Sequence, residues 1–123
     1  MEIDAGAVLG RRRRERDRHL AAARDFADAL DPAVGVRAVC VFGSVARGDF
    51  NLWSDIDVLV VAARLPGAPA RRLEALGAVA ARIQAVAWTP GEWADRLRRG
   101  DPIAREALDR GVWLVGDAAA IGS

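Results

Sequence analysis

The chain has 123 residues, of which 52% are hydrophobic and 28% charged. That suits one domain with a buried core and excludes disorder, collagen-like repeats and disulfide-dense miniproteins. The formal net charge of +1 argues against a general polyanion binder, and the longest apolar run, Val58 to Ala63, is far below the roughly 18–20 residues of a membrane span.

The N-terminal arginines follow Gly10 and precede an Ala-rich segment cut by Arg24, Asp25 and Asp28, which is no signal peptide, so a cytoplasmic location without membrane contact is expected. The one cysteine, Cys40, sits in an apolar run and reads as a small core residue. All 18 basic residues are Arg, which fits genomic base composition better than function.

Residues 1–9 carry no period and read as a flexible tail, as do residues 117–123, leaving residues 10–116 as the domain. Leu20, Ala23, Phe26, Ala27 and Leu30 share one helical face between Arg11 and a stop at Asp31-Pro32. Val36 to Phe42 is β-branched and apolar, a buried strand ending at Gly43-Ser44. Asp55 to Val61 is a second strand, open to solvent only at its start. After the loop Pro66–Pro69, Leu73, Leu76, Gly77 and Ala80 have helical spacing.

Ile83 to Trp88 is a third strand. Thr89, Pro90 and Glu92 form the start signal of a helix whose Trp93 and Leu97 face inward and which stops at Gly100. Asp101-Pro102 opens another helix, with Ile103, Ala104, Ala107 and Leu108 on its apolar side and Gly111 at its end. Val112 to Val115 is the last strand. The order predicts an α/β (α+β) domain with helices packed on a sheet.

The strongest chemical signal is Gly43-Ser44 closing one strand, ten residues, then Asp55 and Asp57 opening the next. Strand side chains alternate, so both aspartates point the same way while Ile56 and Val58 face the core. Two carboxylates at about 4 Å repel by roughly 4 kcal/mol at an effective dielectric of 20, so they need a cation, a shifted pKa or open solvent. Mg²⁺ suits them: it takes one or two protein carboxylates and fills its octahedron with water and phosphate oxygens, which points to a nucleoside triphosphate. Gly43 lets backbone approach a phosphate, Ser44 offers a hydroxyl, a helix starting near Val45 aims N–H groups at the anion, and Arg47 adds a fork of donors.

Gly43-Ser44-Val45-Ala46-Arg47-Gly48-Asp49 through Ser54-Asp55-Ile56-Asp57-Val58-Leu59-Val60 resembles the signature of the minimal nucleotidyltransferases of the DNA polymerase β superfamily. It is most similar to the stand-alone antitoxins paired with HEPN-domain ribonucleases. The motif covers about residues 39–61, and Gln84 to Gly116 resembles the C-terminal part of such proteins more weakly. The resemblance implies a polymerase-β-like fold with a mixed sheet, two Mg²⁺ ions, and transfer of a nucleoside monophosphate from ATP or another triphosphate to an acceptor hydroxyl, with a HEPN toxin as the leading acceptor. Gly43, Ser44 and Arg47 would hold the triphosphate, and Asp55 and Asp57 would be the catalytic metal ligands.

The family's third carboxylate falls on Gln84, a neutral amide that neither neutralises a metal nor accepts a proton. Two readings therefore stand: an enzyme, slow for want of that carboxylate, or an inactive protein of this fold that neutralises its partner by binding. An antibiotic-modifying type of transferase is a third, less favoured for lack of a domain to form an acceptor pocket.

Arg11 to Arg18 holds six arginines against Glu15 and Asp17. This run could bind RNA, but its helix lacks the aromatics that stack bases, and a solvated face with Arg11–Glu15 and Arg13–Asp17 pairs is favoured. His19 reads as surface, Trp53 as packing or a stacking platform, and Trp88, Trp93 and Trp113 as core. The oligomeric state stays open.

Overall fold

Five consecutive residues of one strand, Ala38 to Phe42, can be apolar because both of its faces are covered there. The structure, a computed structural model, describes residues 4–51 and 53–122. Its elements run α1 (Ala5–Asp28), a 3₁₀ turn (Pro32–Val34), β1 (Val36–Phe42), α2 (Gly43–Arg47), β2 (Ile56–Ala62), α3 (Pro69–Ala75), β3 (Ile83–Trp88), α4 (Pro90–Arg98), α5 (Pro102–Arg110), β4 (Val112–Val115) and α6 (Ala118–Ile121). The sheet order is β3-β2-β1-β4; β1 is antiparallel to β2 and β4, and β2 is parallel to β3. The expected mixed sheet with helices packed on it is present.

Each sheet face has its own core. Val39, Val41, Ile56, Val58 and Val60 pack with Ala23, Phe26 and Leu30 of the first helical segment. Ala38, Cys40, Phe42, Leu59 and Val61 pack on the other face with Trp88, Trp93 of α4, Ala104 and Ala107 of α5, and Ile121 of α6. Burial pushes the Cys40 thiol up to about 12, which keeps it protonated and inert. Trp113 is half-buried against this second core. Among the described residues no helix is long and apolar enough to cross a membrane.

Several boundaries differ from expectation for physical reasons. Residues 5–9, expected in a flexible tail, form the first turns of α1, because the Asp4 carboxylate accepts from the Gly6 and Ala7 N–H groups. Residues 1–3 of that tail, and Ser123 of the other, lie outside the described residues. The helix expected to reach Ala80 stops at Ala75: Gly77 adopts φ +71°, and the Asp31 N–H donates to Leu76 O at 2.8 Å. Leu108, expected in the core, is exposed.

Residues 118–121, expected in the C-terminal tail, form α6, capped by Asp117, with Ile121 buried under the sheet. Ile121→Ala is therefore expected to cost about 2–4 kcal/mol of unfolding free energy, measurable by urea denaturation, whereas a tail residue would cost nothing.

Candidate active site

Phe42 at the end of β1 pairs with Asp57 at the start of β2, so the chain turns into α2 directly beside that carboxylate. Gly43 has φ +75°, and a Cβ built there would lie 3.2 Å from Asp57 Cγ and closer still to Oδ2. Only glycine fits the conformation and the contact. α2 starts at Gly43, two residues earlier than expected. It is five residues long, and its N-cap, Phe42, supplies no side-chain hydrogen bond to the first N–H groups.

Asp57 points to the sheet face covered by α4 and α5, and in the parallel pairing Gln84 stands opposite it. The Gln84 amide donates to Asp55 Oδ2 at 3.3 Å. The fold thus brings Gly43, Asp55, Asp57 and Gln84 together. Loss of solvation raises the Asp57 pKa above the ordinary carboxylate value, and Asp55 and Glu106 add to the shift against the pull of Arg47. Among the described residues no group of three or more His, Cys, Asp or Glu side chains is placed to hold a metal.

Arg47 leaves the end of α2 toward α5. Its Nε donates to Asp49 Oδ2 at 3.2 Å and its Nη1 to Glu106 Oε1. Glu106 had no sequence signal: it lies on a helix with no motif of its own, and only the packing of α5 carries it to Arg47.

The α1 arginines face this same unit. Arg12 donates to Phe50 O and Gly48 O, both at 2.7 Å, with its guanidinium 4.5 Å from the Phe50 ring centroid. Arg16 donates to Val45 O and Ala46 O, both at 3.2 Å. Two cations thus satisfy the carbonyl end of α2 and the loop after it. Among the described residues, neither Arg11–Glu15 nor Arg13–Asp17 forms an ion pair. His19, expected at the surface, packs edge-on against Phe50 at 5.1 Å with Nε2 buried, and desolvation lowers its pKa.

Asn51 and Ser54 close the loop with reciprocal hydrogen bonds: Asn51 N to Ser54 Oγ at 2.9 Å and Ser54 N to Asn51 O at 3.2 Å. Trp53 between them is 78% exposed with the Arg82 guanidinium 5.2 Å from its ring centroid, which rules out a core role. A large concavity of about 720 Å³ lies elsewhere, between α4 and α5, and none of Gly43, Ser44, Arg47, Asp55 and Asp57 lines it. Of its charges, Arg96 pairs with Asp101 and Arg99 with Asp95, at 3.1 and 3.2 Å, and Glu92 pairs with Arg72 outside the concavity.

The sequence model of the nucleotidyltransferase domain matches residues 21–90, more than half of the chain and all of the Gly-Ser to Asp57 unit. The chain belongs to the nucleotidyltransferase domain family. Its fold is similar to the crystal structure of a protein from Sulfolobus solfataricus described as a nucleotidyltransferase: TM-score 0.63, 22% identity, over 83% of this chain and 84% of that one. No curated protein matches the chain. The family match ends at Pro90, ahead of α5 and Glu106.

Gly43→Ala is expected to destabilise the protein by about 2 kcal/mol from the left-handed backbone alone, read as a fall in Tm. For Asp57 the folded pKa lies above the unfolded one, so its charge destabilises the fold at pH values above both and ceases to do so as pH falls below both. In metal-free buffer Asp57→Asn is accordingly expected to raise Tm at pH 7, with the gain shrinking as pH is lowered through the carboxylate range.

Proposed function

We propose that the protein is a minimal nucleotidyltransferase that passes a nucleoside monophosphate from a nucleoside triphosphate, ATP by resemblance, to a hydroxyl on a HEPN-type ribonuclease, acting in the cytoplasm as its antitoxin. The observation that carries the nucleotidyl-transfer part is the contact of Gly43 with Asp57, which sets the turn at the head of α2 against the paired carboxylates. The antitoxin and HEPN part rests on the motif resemblance.

A divalent cation fits the donor set. Asp57 lies in the field of Asp55 and Glu106, opposed by Arg47, and a triphosphate would meet these carboxylates as repulsion. Asp55 and Asp57 would hold Mg²⁺, leaving the remaining positions to water and phosphate. When bound, the metal offsets this charge and makes the α-phosphorus more electrophilic. Gly43 and Ser44 would receive the polyphosphate on N–H groups and a hydroxyl, and Arg47 would take a phosphate oxygen with its planar fork.

In the reaction the acceptor oxygen bonds to the α-phosphorus, the bond to the bridging oxygen of pyrophosphate breaks, and the hydroxyl proton leaves to a base or to solvent. Gln84, beside Asp55, cannot be that base. The same observation favours the second reading, a nucleotidyltransferase fold that neutralises its partner by binding alone.

The deciding experiment is transfer of radiolabel from α-labelled ATP to the partner protein by wild type, Gln84→Glu and Asp55→Asn at matched Mg²⁺. Weak wild-type transfer, abolished by Asp55→Asn and raised by Gln84→Glu toward the hundred- to ten-thousand-fold typical of a general base, is expected. No labelling by any of them, together with a stable complex that suppresses the ribonuclease, would establish the binding reading instead.

A further inference from the structure

Arg47 is the cation of the phosphate site, yet its guanidinium is already engaged on two edges. Asp49 takes Nε and Glu106 takes Nη1. The two carboxylates differ: the Asp49 side chain is 62% exposed and two residues away on the same turn, whereas Glu106 is 27% exposed and comes from α5, 59 residues later. A partly exposed carboxylate paired with a guanidinium is screened less than a freely solvated one, so it competes with another oxyanion that approaches the same edge.

We propose that Glu106 is a positioning residue for Arg47 and an internal competitor of the polyphosphate. With no ligand, its carboxylate engages Nη1 and holds the guanidinium toward α5. A polyphosphate approaching along that edge competes with it for Nη1, and the Glu106 charge already contributes to the negative field at Asp57. Free polyphosphate is thereby disfavoured relative to its metal complex, which meets the same carboxylates with a compensating charge. Glu106 therefore selects the metal-loaded form of the ligand. This rests on the reading of Arg47 as a phosphate contact.

The test uses the full chain and inorganic tripolyphosphate in EDTA, by calorimetry. Glu106→Gln is expected to tighten tripolyphosphate binding about three- to tenfold, the range expected when a partly exposed, charge-assisted competitor is removed. Glu106→Asp should return affinity toward wild type. In an Arg47→Ala background the Glu106→Gln gain should vanish. A merely structural role predicts weaker binding and a lower Tm, so tightening at an unchanged Tm is the discriminating readout.

Unchanged or weaker binding by Glu106→Gln, or no binding by either protein, overturns the proposal. So does a gain of full size in Arg47→Ala, because it would reflect general charge removal. Failure of the nucleotide reading shows separately: Asp55→Asn with Asp57→Asn would then leave MgATP affinity unchanged while the tripolyphosphate result with Glu106→Gln still held.

Discussion

The contact between the Gly43 backbone and the Asp57 carboxylate constrains everything around it. β1 and β2 are antiparallel neighbours, and Phe42 opposite Asp57 brings the exit of one strand to the entry of the other. A residue with a side chain at position 43 would push α2 off the carboxylate and separate the turn from the acidic pair. The ten residues between Ser44 and Asp55 are then a loop length fixed at both ends. The short helix and the reciprocal Asn51–Ser54 bonds take up that length without a strand or a long helix.

A five-residue helix has little stability of its own, since nucleation is costly and few bonds reward it. Its support comes from outside. Arg12 and Arg16 reach from α1 to four carbonyls between Val45 and Phe50, and Phe50 is itself buried under Arg12 and against His19. Arg47 ties the other side of the helix to α5 through Glu106. The unit that carries the motif is thus clamped between the first helix and the C-terminal layer, and the arginine run has a structural task in addition to whatever its exposed members meet.

Much of this fold was legible because the cues were local. β1, β3 and β4 have the bounds that their apolar runs gave, and Thr89 and Glu92 form the reciprocal capping bonds that their spacing implied. The alternation of Ile56, Asp57 and Val58 put Ile56 and Val58 in the core, as expected, while Asp55 lies just ahead of β2. The rest depended on distant partners. Nothing within reach of residues 117–123 says that Ile121 fills a gap under the sheet. Arg11 and Arg13 have the spacing of solvent-facing ion pairs, but it is Arg12 and Arg16 that bind carbonyls, and only the position of α2 shows which ones. Glu106 is invisible beside Arg47 without the fold, while Gln84, singled out through the family resemblance, stands beside Asp55 and opposite Asp57.

The central claim is that one site, made by the Gly43 turn and the Asp55–Asp57 pair, binds a metal–polyphosphate complex. Crystals grown with Mn²⁺ and a triphosphate analogue that cannot be cleaved between the α and β phosphates test it directly. The account predicts one or more anomalous manganese peaks in contact with both Asp55 and Asp57, and phosphate oxygens on the Gly43–Ser44 turn and Arg47. Manganese bound instead in the concavity between α4 and α5, against Glu92, Asp95 and Asp101, with the Asp55–Asp57 pair left empty at saturating ligand, would contradict it.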